Sequence, residues 1–298
     1  MRLPLASAGL LIAALSTLVG GAASSGVPRP ASRPMRVMSI NQCTDQIVLA
    51  LLPPERIASV TWLSRDPDAS LMAAAARRVA VNHGLVEEVV RDRPDLVVAD
   101  SSSMPGTRAL LKRLGWPMIE VDSADSIERI RAVTRRIARA VGEQVRSETL
   151  IAQMDRELAS LAQDSRPPLR VAAWDGSGFG AEKGSLFDRL LRLSGAVNVA
   201  NEPPASRYGT PDIEVLLAAA PDLLVQGSED RGSLRDYLAR HALVRRFWGN
   251  GRTLTVRQAD YLCGTPFIAE SALKLRRELR TASAAIRARL PFAQTGLR

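Results

Sequence analysis

A helix-to-strand unit occurs twice in this sequence, and the two copies lie more than a hundred residues apart. Residues 86–102 are VEEVVRDRPDLVVADSS, and residues 213–229 are IEVLLAAAPDLLVQGSE. In each copy a glutamate stands seven positions before the proline of Pro-Asp-Leu, at Glu87 in the first and Glu214 in the second. A helix is expected to end before that proline, because proline disfavours helical backbone in the preceding residue. The apolar run that follows is typical of a strand. The repetition predicts two similar lobes.

Apolar runs of strand length alternate with helical segments on both sides of a long central region. Near-continuous apolar strands that alternate with helices indicate a parallel sheet covered on both faces. The predicted strands are MRVMSI (35–40), RIASVTW (56–62), DLVVAD (95–100) and PMIEVD (117–122) before that region, and LRVAAW (169–174), DLLVQG (222–227) and RTLTVR (252–257) after it.

The central region, residues 126–163, contains no strand pattern and connects the two halves. Gly142 divides it into two helices, of which the second would have about twenty residues and a length of roughly 30 Å. The predicted fold is therefore α/β, with two Rossmann-like lobes, each a mainly parallel sheet flanked by helices, joined by one long interlobe α-helix. We place the N-terminal lobe at 36–123, the helical region at 124–166 and the C-terminal lobe at 167–298.

The first 26 residues have the pattern of a secretory signal peptide. Arg2 is followed by the apolar run LPLASAGLLIAALSTLVGG and then by small residues. A retained membrane anchor is the alternative, because the run approaches the length of a membrane span. The small residues that follow, in place of a basic flank, favour cleavage. Residues 27–35 would be an extended leader, and no cysteine nearby offers a lipid anchor, so we expect an exported protein of the periplasm.

The net charge of +9 and a pI near 10.6 come almost wholly from arginine. A nucleic-acid-binding surface is one interpretation. The arginines are spread over the predicted helices, however, and no basic run interleaves with aromatic residues. The pattern favours a dispersed basic surface and no nucleic-acid partner, although a basic cleft would suit an anionic ligand.

No constellation of residues typical of an enzyme is present. DGSGFG follows a predicted strand but matches neither G-x-G-x-x-G nor a Walker motif. Asp175 occupies the first glycine position of a would-be G-x-S-x-G. The two histidines, His83 and His241, fall in different lobes, and a nucleophilic Cys43 would have no histidine near it in sequence. We therefore expect no catalysis, no metal site and no cofactor.

The carboxyl ends of the predicted strands carry the candidate ligand-binding residues. In open α/β sheets, ligands bind beyond these ends. Aromatic faces with a few polar groups suit a large, partly apolar ligand. The alternative for Trp62 and Trp174 is that each caps the core of its lobe. The candidates at the strand ends and in neighbouring loops are Asn41, Gln42, Cys43, Trp62, Ser101, Ser102, Trp174, Tyr208, Gln226 and Tyr261.

From about Arg36 to Leu290 the chain resembles the periplasmic substrate-binding proteins of ABC importers for ferric siderophores, heme and cobalamin, the class with a helical interlobe backbone. The resemblance implies a monomer with limited hinge motion, which carries a metal chelate to a permease. Five segments in the family's order carry it, namely RVMSINQCTDQIVLALLPPERIASV, LVEEVVRDRPDLVVAD, GSLFDRLLRLSGAVNVA, PDIEVLLAAAPDLLVQG and FWGNGRTLTVR.

The resemblance also implies a role for the repeated glutamate. In that family, one surface glutamate per lobe docks into a basic pocket of the permease, and the matching positions are Glu87 and Glu214. The alternative is an ordinary glutamate at a helix N-terminus, where the helix dipole favours it.

The abundance of arginine favours an anionic, siderophore-type chelate over a cobalamin-like corrinoid.

Cys43 and Cys263 each fall in a presumed cleft loop, one per lobe. They would form a cross-cleft disulfide if their Cα atoms lie within about 7 Å, or else remain thiols near the ligand. Two alternative functions also stay open. One is an exported two-lobe enzyme acting on a small ligand in the same cleft, and the other is a ligand sensor that docks to a receptor.

Overall fold

A computed structural model of the protein describes residues 33–175, 178–203, 213–227, 241–249, 251–286 and 290–291. The predicted signal peptide, most of the leader and Tyr208 lie outside the described residues. Of the helices in the described ranges, none combines the length and apolar character needed to cross a membrane.

The first sheet has five parallel strands in the order β3-β2-β1-β4-β5. Alternate residues of its central strands face opposite layers of helices. Val37 and Val98 pack towards α1, whereas Met38 and Val97 pack towards α3 and α4. The elements are β1 (Val37–Ser39), α1 (Gln42–Leu51), β2 (Ile57–Thr61), α2 (Ala73–Ala76), β3 (Val81–Asn82), α3 (Val86–Asp92), β4 (Leu96–Asp100), α4 (Pro105–Arg113) and β5 (Met118–Val121).

The second sheet is built around β6, which pairs in parallel with β9 on one side. On the other side, β8 pairs in parallel with the start of β6 and β7 pairs antiparallel with its end. Its two faces are covered by α7 and α10 and by α8 and α9. The elements are β6 (Leu169–Asp175), β7 (Gly178–Phe179), α7 (Leu186–Leu193), β8 (Ala196–Asn198), α8 (Ile213–Ala219), β9 (Leu223–Gly227), α9 (Ala242–Trp248), β10 (Thr253–Val256) and α10 (Ile268–Ala285).

Two helices, α5 (Ile127–Val141) and α6 (Gln144–Ala162), connect the sheets and pack against each other. Gly142 separates them in the left-handed conformation, with φ of 74°. The 19 residues of α6 extend about 28 Å. Leu150 near its start packs on the core of the first lobe, and Leu161 near its end lies in the core of the second. The predicted fold class is thus confirmed.

The repeated Pro-Asp-Leu unit has the same structural role in both lobes. Arg93 and Ala220 end α3 and α8 in the left-handed conformation, each with φ of 44°. The carbonyl of Pro94 accepts a hydrogen bond from Trp116 Nε1, and that of Pro221 accepts one from Trp248 Nε1.

The aspartates of the repeat hold the neighbouring strand in each lobe. Asp95 Oδ2 accepts from the backbone N–H of Arg36, and Asp222 Oδ2 accepts from that of Arg170. The backbone N–H of each aspartate donates to the carbonyl of the same arginine. The fold therefore explains the repeated proline and aspartate, but these contacts do not involve the repeated glutamate.

Candidate ligand-binding cleft

The strand ends of the two sheets face each other, and three direct links between described residues join them. The backbone N–H of Ala259 donates to the carbonyl of Asp68 at 2.7 Å. The Arg257 guanidinium donates to the carbonyl of Pro67 at 3.2 Å. The third link is a disulfide. Residues 62–71, which follow β2, and residues 257–264, which follow β10, thus form opposite walls of an interlobe cleft.

Cys43 and Cys263 form the disulfide, with Cα atoms 5.0 Å apart and 220 positions between them in the sequence. Cys43 lies in the first turn of α1, and Cys263 lies between β10 and α10. The alternative of two free thiols beside the ligand is not what the structure contains. The lobes are therefore joined covalently at the cleft as well as through α5 and α6.

A small cavity, open to solvent, lies beside the disulfide, at the base of the cleft. Two carboxylates line it. Asp122 accepts from Ser101 Oγ at 2.6 Å, and Asp100 accepts from the backbone N–H of Ser102 at 2.8 Å. None of the described residues that line it is an arginine or a lysine, so this cavity gives no support to the alternative of a basic cleft for an anionic ligand. Its lining residues are Cys43, Thr44, Ile47, Asp100, Val121, Asp122, Ser123, Ala124, Val133, Leu186, Leu262 and Gly264.

The first-lobe candidates surround the N-terminus of α1. Asn41 caps this helix by accepting from the backbone N–H groups of Cys43 and Thr44. Asn41 Nδ2 also donates to Ser103 Oγ at 3.2 Å. Trp62 stands at the start of the turn after β2, with 52% of its surface exposed.

The second-lobe candidates are placed differently. Tyr261 stacks on Phe187 with ring centroids 4.1 Å apart. A Cβ at Gly227 would lie only 2.7 Å from the Tyr261 hydroxyl, so this tyrosine lies against the end of β9, where Gln226 is half-buried. Trp174 is only 6% exposed and lies within a core cluster, as the core-capping interpretation expects.

Asp45, a buried group at this site, is not among the predicted site residues. Its Oδ2 accepts from the backbone N–H of Thr61 at 2.9 Å, from Ser64 Oγ at 2.7 Å and from the Thr61 hydroxyl. Burial raises the pKa of Asp45 from 3.8 to about 6, and the hydrogen bonds from these hydroxyls partly oppose the rise. The sequence does contain an indication of this role. Asp45 stands two positions before the apolar run IVLALL (47–52), and an aspartate in so apolar a helix needs a partner if it is buried.

The arginines that made the sequence look basic have structural roles where they are buried. Arg56 donates to the carbonyls of Pro34 and Val141. Arg276 donates to those of Leu161 and Leu193. Within the described ranges, histidine, cysteine and carboxylate side chains do not form a cluster able to hold a metal ion.

The two glutamates of the repeat are both exposed in the first turn of their helices, Glu87 in α3 and Glu214 in α8. Glu88 beside the first is buried and serves the fold instead, since its Oε2 accepts from the backbone N–H groups of His83 and Leu85. Glu87 itself makes no hydrogen bond or ion pair with another described residue.

Two α/β lobes with a cleft between their strand ends, tied by helices and a disulfide, define a two-lobed binding protein of the helical-backbone class. The sequence profile of the periplasmic binding protein family matches residues 37–247, and the chain belongs to this family.

Known relatives and solved structures agree with this assignment. A "Cobalamin-binding protein" of Halobacterium salinarum is 27% identical over 212 residues, which are 67% of this chain and 56% of the relative. The chain thus spans little more than half the length of that relative.

Among solved structures, the periplasmic heme-binding protein RhuT from Roseiflexus sp. RS-1 has a TM-score of 0.63 at 19% identity, covering 83% of this chain and 98% of that one. The periplasmic vitamin B12-binding protein BtuF of Vibrio cholerae has a TM-score of 0.58 at 18% identity, covering 84% and 98%. At identities this low, the structural similarity shows a shared fold and does not identify the ligand.

Proposed function

We propose that this protein is exported to the periplasm, captures a metal chelate between its two lobes and delivers it to an ABC permease. The chelate would be a ferric siderophore or a cobalamin-like corrinoid. The observation that carries the proposal is the interlobe cleft, with the half-exposed Trp62 on one wall, polar groups at its base and Tyr261 on the other wall. The cobalamin-binding relative and the heme- and B12-binding proteins of the same fold support this class of ligand.

The lining of the cavity favours a neutral chelate rich in amides or amines over an anionic one. Asp100 and Asp122 would repel carboxylates and phosphates, whereas they would accept hydrogen bonds from amide or amine N–H groups. Asn41, Gln42, Ser101 and Ser102 would supply further polar contacts. Trp62 and Tyr261 would supply aromatic faces, and Cys43, Tyr208 and Gln226 complete the proposed binding set.

A thermal-shift screen of the purified mature protein against cyanocobalamin, a ferric hydroxamate siderophore and heme tests the ligand class. A ligand that binds the native state raises the midpoint by an amount that grows with free ligand over its dissociation constant. Trp62→Ala should reduce the shift. Leu114→Ala is the matched control, because Leu114 is also about half exposed on the first lobe, outside the cleft. No shift with any of the three chelates would contradict the proposed ligand class.

The repeated glutamates are the proposed contacts with the permease. Both are exposed in the first turn of their helices. A surface carboxylate that faces arginine on a partner gives an orienting ion pair. One such pair per lobe would orient the two-lobed protein on a two-fold permease.

Charge reversal at both positions, Glu87→Arg with Glu214→Arg, should abolish transport into cells while chelate affinity stays unchanged. Glu270→Arg is the matched control, because Glu270 is likewise exposed in the first turn of a helix, α10, but lies outside the repeat. If Glu270→Arg impaired transport equally, the glutamates would matter only for their helices, and the docking proposal would be wrong.

A further inference from the structure

Three polar side chains of helix α1 form hydrogen bonds with the first-lobe wall of the cleft. Asp45 holds Thr61 and Ser64, on either side of Trp62. Gln42 Nε2 donates to the carbonyl of Ala69, and Gln46 Oε1 accepts from the backbone N–H of Leu71, at the far end of the same wall. One helix therefore fixes residues 62–71 at both ends.

Of these three side chains, Asp45 bonds to the residues nearest Trp62. Thr61 ends β2, and Ser64 lies in the single helical turn that follows. The two residues on either side of the Trp62–Leu63 segment are thus hydrogen-bonded to one carboxylate oxygen. Thr61 and Ser64 are buried, whereas Trp62 is 52% exposed. The backbone on both sides of Trp62 is thus anchored in the core, while about half of the surface of Trp62 itself is exposed.

Burial of the Asp45 carboxylate costs the fold stability, because a buried charge loses its hydration. Asp45 is completely buried, and its second oxygen, Oδ1, has no hydrogen-bond partner among the described residues. Hydrogen bonds to a charged carboxylate are stronger than those to a neutral one. The strength of the hydrogen bonds from Thr61 and Ser64 therefore depends on the charge of the Asp45 carboxylate, which burial makes easier to protonate.

We infer that Asp45 is a positioning residue for ligand capture: its carboxylate sets the orientation of Trp62 at the cleft wall, and its protonation releases that wall. The importance of Trp62 for the ligand rests on the proposed function. The positioning itself rests on the hydrogen bonds of Asp45 and is testable without ligand.

The effect of Asp45 has to be distinguished from the effects of other charged groups near α1. Strands β1 and β2 carry none. Asp100 ends β4, and from α5 Arg131 and Arg135 are paired with carboxylates of α6. The wall itself contributes Arg65, Asp66 and Asp68. His83 needs its own control, because it follows Asn82, which pairs with Thr61.

Fluorine NMR of the full mature protein labelled with 5-fluorotryptophan provides the test. The four tryptophans give four resonances, and Trp62→Phe identifies that of Trp62. Between pH 4.5 and 8, the Trp62 resonance should move with a midpoint near 6. The movement should be lost in Asp45→Asn and retained in His83→Gln. A Trp62 resonance that is flat in the wild type, or a movement lost in His83→Gln, would overturn the inference.

Ser64→Ala covers the case in which Asp45→Asn does not fold. Removal of one hydrogen bond to the carboxylate should raise the midpoint of the Trp62 movement by about half a pH unit. An unchanged midpoint would contradict this positioning. Chelate binding, measured separately by the thermal-shift screen, decides the proposed function and does not alter this result.

Discussion

The disulfide between the lobes leads to a quantitative prediction for unfolding. Replacement of both cysteines, Cys43→Ser with Cys263→Ser, opens a covalent loop with a sequence separation of 220 residues. The chain-entropy relation gives about 5 kcal/mol for a loop of this size at 25 °C, near the upper end of measured disulfide contributions. For a chain of this length each kcal/mol lowers the melting temperature by roughly 2–4 °C, so we expect a fall of about 10–20 °C.

The full effect requires that the two lobes unfold together, because the cross-link restricts an unfolded state that contains both. Circular dichroism during thermal unfolding, with and without reductant, is the assay. The wild type should lose stability on reduction, and the double serine variant should not respond to reductant. A fall in melting temperature below about 3 °C would refute the reasoning, as would two reactive thiols in the unreduced protein.

Three further predictions concern single residues. The folded pKa of Asp45, about 6, exceeds its unfolded value of 3.8, so its contribution to stability is present below pH 3.8 and is lost as the pH rises through 6. Chemical denaturation should lose up to about 3 kcal/mol over this range, relative to Asp45→Asn. Trp248→Phe should cost more stability than Trp116→Phe in the same assay, because both variants lose a hydrogen bond to a proline carbonyl but Trp248 is fully buried whereas Trp116 is half-buried. Gly264→Ala should destabilise the protein by about 1–3 kcal/mol, because a Cβ there would lie 1.9 Å from the Ala124 carbonyl oxygen; Gly106→Ala, with open space around its Cβ, should not.

The long strands were predictable, because strands buried on both faces are near-continuous apolar runs. Strands β3, β7 and β8 were not predicted, since each has only two or three residues and exists through pairing with distant strands. The repeated Pro-Asp-Leu was visible in the sequence. Its partners were not, because Trp116 and Trp248 donate to the prolines from 22 and 27 positions away.

The candidate site was predictable only as a region. Strand ends are identified by pattern, and these gave Asn41, Cys43 and Trp62, which lie at the cleft. Burial at a strand end depends on tertiary packing, so the same rule selected Trp174, whose side chain lies in the core. Asp45 stands within the pattern of an apolar helix, and its partners come from the next strand and turn.

Hydrogen exchange measured by mass spectrometry, with and without a saturating metal chelate, tests the central claim most directly. Capture between the lobes predicts slower exchange in residues 62–71 and 257–264 together, with the chelate recovered at unchanged mass. Slower exchange in one lobe alone, or a chelate recovered in altered form, would contradict the account.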